Sequence, residues 1–241
     1  LLAKLKKAKV SSPGGCSIGV RPIDIHLEAI SKLGVKFEIV KGYVYASANK
    51  GLNGSNIRLS KISVGATENI ILAACLAKGM TIISNCAIEP EIKDLTSFLK
   101  IGGANIKWVG KRTLRIEGVK TLKSINYSIM NDRIEAGTFC VAACLNEGNL
   151  KIKNFDPKII NTELNLLKKI GAKIQINNHT IEVKGPKKIK SLDILKTGEY
   201  PGFPTDMQAQ FMVLLAKANG KSVIQENIFE NRFMHVPELR R

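Results

Sequence analysis

Aromatic residues are scarce. Phe, Tyr and Trp make up 5% of the 241 residues, too little stacking surface for a protein that grips single-stranded nucleic acid by its bases. No apolar run is long enough to span a bilayer; the best, around residues 70–77, is short and amphipathic. Lys4, Lys6, Lys7 and Lys9 stand near the N-terminus, but no apolar core with a small-residue cleavage site follows them, so no signal peptide is predicted. Neither a Walker sequence nor a GxGxxG occurs. The cysteines, Cys16, Cys75, Cys86, Cys140 and Cys144, are odd in number and irregular in spacing. That excludes an ordinary disulfide framework and points to a reducing cytoplasm. Cys140 and Cys144 would share a helix face, yet no clustered His or further Cys completes a metal shell. They read as two small buried thiols in an Ala-rich helix, and no metal is expected.

Acidic residues are also few, 20 against 37 Lys and Arg, for a net charge of +17. The lysines are scattered and accompany a general enrichment in Ile and Asn, so a compositional drift accounts for them. The same field would suit anionic substrates without identifying them. With 44% apolar and 24% charged residues the chain is globular, long enough for one large domain or two smaller ones.

What the sequence does contain is a repeat. Gly34, Gly103 and Gly171 recur at intervals of 69 and 68 residues, each after an apolar-periodic segment and before alternating residues. Each reads as the glycine that ends a helix and launches a strand. In the second unit, helices are predicted over 67–78, with Leu72, Cys75 and Leu76 on one side, and over 91–101. Strands are predicted over 81–84, 105–109 and 112–117. In the third unit the helices are 133–145 and 159–170, and the strands 149–152, 173–176 and 180–183. A fourth unit opens with a helix over 207–218 and a strand over 222–225. The pattern is helix–strand–helix–strand–strand, with both helices covering one sheet face. The sequence reads as about three and a half such units from a longer array.

Four segments could carry chemistry. In Pro13-Gly14-Gly15-Cys16-Ser17-Ile18-Gly19-Val20-Arg21-Pro22, a thiol lies five residues from a guanidinium in a glycine-rich loop, a route to a lowered thiol pKa; an incidental surface cysteine is the plain alternative. Pro22 suits the first turn of a helix running to Leu33. In Lys61-Ile62-Ser63-Val64-Gly65-Ala66-Thr67, small residues open a helix whose free N–H groups form an anion site, or an ordinary capped start. In the run 200–210, two prolines lead into a helix start bearing Thr205 and Asp206; Asp206 would cap it or, if buried, act as a general base. In the run 229–235, Arg232 could clamp a phosphate or carboxylate, or pair with Glu230 or Asp132, and His235 reads as a packed core histidine.

These segments, with NDRIEAGTF (131–139), FPTDMQAQF (203–211) and ENRFMHVPEL (230–239), resemble the UDP-N-acetylglucosamine 1-carboxyvinyltransferase family in order and spacing over essentially the whole length. The cysteine loop separates this family from its shikimate-pathway cousin. The resemblance implies an α+β fold, an inverted α/β barrel of repeated helix and strand units, incomplete here at both ends. It places residues 1–130 in the Cys-loop domain and 131–241 in the second domain. It implies transfer of the enolpyruvyl group of phosphoenolpyruvate to the 3′-hydroxyl of UDP-N-acetylglucosamine with release of phosphate. That is the first committed step of peptidoglycan precursor synthesis, in the cytoplasm, with no cofactor, membrane or nucleic-acid partner. By the resemblance Cys16 is the general acid that can also form a covalent adduct, Arg21 lies near the phosphates, and Pro22, Ile23, Asp24 and Ile25 hold the uridine. Lys61, Ile62, Ser63 and Val64 make a second nucleotide-sugar contact, and Asp206 takes the proton of the attacking hydroxyl. Ile228 is a further contact, and Arg232 and Asp132 are active-site supports.

The family also uses a Lys-Asn pair near its N-terminus, an arginine upstream of the Cys loop and basic residues in its last portion. Those positions fall outside this sequence, so the 241 residues alone are expected to be catalytically weak or dead. The alternatives are a truncated, non-catalytic remnant, or a basic nucleic-acid-binding protein on a related scaffold. Salt-dependent binding indifferent to UDP-sugar would mark the latter.

Overall fold

A computed structural model describes residues 1–11 and 23–241. The chain forms two compact units, the first ending at Met130 and the second beginning at Asn131. The predicted loop residues Cys16, Arg21 and Pro22 lie outside the described residues.

In the first unit a short helix α1 (Leu2–Leu5) leads into β1 (Lys7–Ser11). Then come α2 (Asp24–Ser31) and the hairpin β2 (Lys36–Val40) and β3 (Tyr43–Ser47). These strands pair antiparallel in the order β1-β3-β2. A linking strand β4 (Asn56–Arg58) precedes the next repeat: α3 (Val64–Ala74), β5 (Met80–Ser84), α4 (Pro90–Ile101), β6 (Asn105–Gly110) and β7 (Thr113–Glu117). Here β5, β7 and β6 repeat the same antiparallel order, and β4 adds in parallel at the β5 edge.

The second unit repeats the design. It runs α5 (Arg133–Leu145), β8 (Asn149–Ile152), a 3-10 turn (Pro157–Ile160), α6 (Asn161–Lys169), β9 (Lys173–Asn177) and β10 (Thr180–Lys184), with sheet order β8-β10-β9. A linking strand β11 (Ile194–Lys196) again pairs in parallel with the first strand of the following repeat, β12 (Val223–Gln225). Between them lie a 3-10 turn (Thr205–Met207) and α7 (Gln208–Ala216), and α8 (Val236–Arg240) closes the chain.

The recurring glycines stand where the repeat required. Gly34, Gly103 and Gly171 have φ of 91°, 97° and 109°, the left-handed region open to glycine. Four helix predictions need correction. The helix predicted to run to Leu33 ends at Ser31, its last turn tightened by the bond from Leu33 N–H to Ile30 O at 3.0 Å. The helix predicted over 67–78 begins at Val64 and ends at Ala74, because its last turn tightens: Ala77 N–H reaches Ala74 O at 3.1 Å. It buries Ala66, Ile70, Ile71 and Ala74, while Leu72, predicted on the same side as Cys75, is 48% exposed. The stretch 159–170 opens instead as the 3-10 turn, where Pro157 takes the first position and Asp156 accepts from Lys158 N–H at 3.0 Å. The helix predicted over 207–218 ends at Ala216, its end tightened by the bond from Ala218 N–H to Leu215 O at 3.1 Å.

Each unit has its own core. In the first, Leu33, Ile70, Ile71, Ile83, Leu114 and Ile116 are fully buried; in the second, Leu164, Leu167, Ile181, Phe211 and Leu214 are. The strands that carry them alternate, as in β7, where Leu114 and Ile116 face inward and Arg115 outward. Cys140 and Cys144 are both buried in α5, as predicted.

A second glycine position recurs for a different reason. Gly118 follows β7 and Gly185 follows β10; their N–H groups donate to Gly79 O (3.0 Å) and Gly148 O (2.8 Å). A Cβ on Gly118 would lie 1.6 Å from Ala77 O, and one on Gly185 2.3 Å from Ala143 O. Here the third strand of a repeat passes against the end of its first helix. Gly118→Ala is therefore expected to destabilise the first unit by about 3 kcal/mol or more, read as a lowered denaturation midpoint. Gly198→Ala, with nothing within 4 Å of the added methyl, should change stability by less than about 0.5 kcal/mol.

Candidate functional site

In the first unit the starts of two helices come together. Ile23 is the N-cap of α2, and Asp24 is the acidic residue of its first turn. Ser63 caps α3, its Oγ accepting from Ala66 N–H at 3.3 Å and its carbonyl from Thr67 N–H at 3.0 Å. The N–H groups of Val64 and Gly65 have no intrahelical acceptor, and no acidic side chain stands in that first turn.

His26 joins the two helix starts. A Cβ on Gly65 would come within 3.1 Å of its Cε1, a tight contact that would press the ring away from the mouth of α3 by a few tenths of an ångström. The Asn69 amide donates to Gly65 O at 3.0 Å and stands 3.0 Å from His26 Nδ1. With the amide nitrogen as donor, Nδ1 is the acceptor and the ring proton sits on Nε2. Burial lowers the His26 pKa below its ordinary value, against an opposing pull from Asp24, so the imidazole is neutral near pH 7.

Among the sequence-predicted residues here, Lys61 and Asp24 are exposed and Val64 is 36% exposed. Ile25 and Ile62 instead pack partly against the core. The arrangement offers backbone donors, a lysine and a neutral imidazole, which suits an anionic or nucleotide-like group.

In the second unit Asp206 sits inside the 3-10 turn before α7 and makes no cap; Pro204 takes the N-cap position without a side-chain bond. Its Oδ1 accepts from an Arg232 Nη at 2.7 Å. The Asp206 side chain is 54% exposed and that of Arg232 19%. Arg232 also lies over the Phe229 ring, 5.3 Å from its centroid. The predicted partners of Arg232, Glu230 and Asp132, are thus replaced by Asp206. Asp132 instead caps α5, accepting from Ile134 N–H at 2.8 Å and Glu135 N–H at 3.1 Å. His235, predicted as packed, is half-buried rather than in the core. In the same stretch as Asp132, Arg133 is buried 3.9 Å from Glu163.

Sequence reasoning missed Glu226. Its Oε1 accepts from Thr197 Oγ1 (2.9 Å), Ile228 N–H (2.8 Å) and Phe229 N–H (3.1 Å), and its Oε2 from Thr205 Oγ1 (2.9 Å). Its partner Thr197 is 29 residues away in sequence, and no local pattern announces such a bond. His26 was missed for the same reason: its neighbour Gly65 lies on another helix.

Comparison with known proteins then places the chain. The family model for EPSP synthase (3-phosphoshikimate 1-carboxyvinyltransferase) matches residues 1–241. The chain is 66% identical over 241 residues to UDP-N-acetylglucosamine 1-carboxyvinyltransferase of Pelagibacter ubique, covering 100% of this chain and 58% of that protein. It is 53% identical to UDP-N-acetylglucosamine 1-carboxyvinyltransferase 1 of Caldanaerobacter subterraneus subsp. tengcongensis, with the same coverage. The chain thus spans a little over half the length of these curated relatives. Among solved structures it is similar to the enolpyruvyl transferase NikO from Streptomyces tendae, with a TM-score of 0.85 and 21% identity over 99% of this chain and 57% of that one. EPSP synthase from Acinetobacter baumannii matches with a TM-score of 0.61 and 20% identity over 90% of this chain and 51% of that one. The fold is the inverted α/β barrel of enolpyruvyl transferases, with mixed helices and sheets.

Proposed function

The chain belongs to the EPSP synthase (3-phosphoshikimate 1-carboxyvinyltransferase) family, and on that premise we propose that the whole protein transfers the enolpyruvyl group of phosphoenolpyruvate to the 3′-hydroxyl of UDP-N-acetylglucosamine. The observation that carries the choice of acceptor is the 66% identity to a relative of that name over every residue of the chain. The cysteine loop (residues 13–22) supports it too, because it separates this branch from the shikimate one. The reaction would serve peptidoglycan precursor synthesis in the cytoplasm. Residues 1–130 would belong to the Cys-loop domain and 131–241 to the second.

The chemistry balances in two steps. The 3′-oxygen adds to C2 of phosphoenolpyruvate as its proton leaves to Asp206 and a proton is added at C3. Elimination of inorganic phosphate with loss of a C3 proton then restores the double bond. Among the described residues Arg232 engages Asp206 through Oδ1 alone, so Oδ2 can take the hydroxyl proton. Cys16 supplies the acid, and Arg21 offsets phosphate charge. Pro22, Ile23, Asp24 and Ile25, with Lys61, Ile62, Ser63 and Val64, hold the nucleotide sugar; Ile228 is a further contact and Arg232 a support. The test is release of phosphate from phosphoenolpyruvate by the complete protein. Turnover with UDP-N-acetylglucosamine and none with 3-phosphoshikimate is expected; the reverse preference would overturn the proposal.

The buried thiols give a second check. Cys75, Cys86, Cys140 and Cys144 are buried, and burial pushes their pKa values up to about 11, 11, 12 and 11. At pH 7.5 they are almost wholly protonated and unreactive. An electrophilic phosphonate should therefore label Cys16 alone, as read by peptide mass spectrometry. Cys16→Ser should abolish labelling; label on any of the other four would count against the assignment.

A further inference from the structure

One carboxylate lies behind both halves of the Asp206–Arg232 pair. Glu226 Oε2 accepts from Thr205, the residue before Asp206, while Oε1 accepts from the N–H of Phe229, whose ring lies under Arg232. Oε1 also accepts from Thr197 at the end of β11, and Asn227 holds the same threonine from the other side, through N–H to Thr197 Oγ1 (2.8 Å) and Nδ2 to Thr197 O (3.0 Å). An ionised carboxylate is acceptor-only with about four lone-pair sites, and here four donors converge on it. Three separated stretches of chain, at 197, 205 and 228–229, are thereby fixed to one group.

We propose that Glu226 is a positioning residue for the transfer reaction, holding Asp206 through Thr205 and Arg232 through Phe229 without itself touching substrate. The inference rests on the reading of Asp206 as the base. The physical argument is registration: a base displaced by about 1 Å loses on the order of 10²-fold in rate, although the substrate is still bound. Asp206 is more than half exposed and lies in a short 3-10 turn, so little packing fixes its side chain. The Thr205–Glu226 and Arg232 bonds supply what packing does not.

The test uses the complete protein. Thr205→Val keeps the shape of the side chain and removes only the bond to Oε2. Glu226→Ala removes all four bonds. Thr205→Val is expected to lower kcat at least about 30-fold while the Kd for UDP-N-acetylglucosamine changes less than about threefold. Glu226→Ala, which also frees the Ile228 N–H, is expected to lower kcat at least as much. Glu226→Gln can keep all four bonds if the Thr205 hydroxyl turns to accept from the amide, so it should recover most of the activity lost in Glu226→Ala. A crystal structure of Thr205→Val should show the Asp206–Arg232 separation opened beyond hydrogen-bond distance, a readout independent of turnover. Wild-type kcat in Thr205→Val, an equal loss of kcat and nucleotide-sugar affinity, or an intact 2.7 Å pair in that variant would each overturn the proposal. An unaltered protein that forms no enolpyruvyl product would instead refute the transferase reading, and the variant structure would still decide the positioning.

Discussion

Asp206→Asn in the complete protein is expected to lower kcat by roughly 10²–10⁴-fold and to leave the affinity for UDP-N-acetylglucosamine within a few-fold of its original value. Asparagine keeps the size of the side chain and an oxygen that can accept from Arg232, so the turn and the 2.7 Å contact can persist. What it loses is the ability to take a proton from the 3′-hydroxyl. The split between kcat and affinity is the useful result. A general loss of binding would mean that Asp206 organises the site instead of acting in the chemistry. Unchanged turnover would remove it from the mechanism.

Phe211→Ala should strongly destabilise the second unit. Phe211 is fully buried in the second unit and meets Phe203 edge to face, with ring centroids 4.8 Å apart and planes at 74°. Truncating a buried Phe to Ala typically destabilises by about 3–5 kcal/mol, from lost transfer energy and the cavity left behind. The damage has a direction. Phe203 leads into Pro204, Thr205 and Asp206, so the cavity opens under the approach to the proposed base. Amide hydrogen exchange in α5 and α7 should accelerate by roughly two to three and a half orders of magnitude. Unaltered exchange there would show that the Phe203–Phe211 pair does not hold this part of the unit together.

Sequence patterning revealed the repeat because its marks are local. A left-handed glycine at the end of a helix and alternation along a strand are written within a few residues, and Gly103, Gly171 and the strand β8 lie where those marks put them. Helix ends were less legible. The final turns after Ala74 and Ala216 tighten into 3-10 geometry, which apolar spacing does not encode. Contacts between distant residues were not legible at all. Arg232 has acidic residues nearer in sequence than Asp206, yet the fold pairs it with the residue 26 positions away. The same holds for Glu226 with Thr197 and for His26 with Gly65. Gly118 gives no local sign of its role either, since its constraint is the carbonyl of Ala77.

The linking strands β4 and β11 determine where this protein can be divided. Each lies, in sequence, between one repeat and the next, but its hydrogen bonds go forward, to β5 and to β12. A gene split, a circular permutation or a chimaera made at the helix starts of α3 or α7 would part these strands from their partners and leave a raw sheet edge. A junction placed earlier, between Ser47 and Asn56 or between Lys184 and Ile194, keeps each linking strand with the sheet that it completes. The inheritable module is therefore not the helix-first unit that the glycine spacing suggests, but one shifted so that the linking strand comes first.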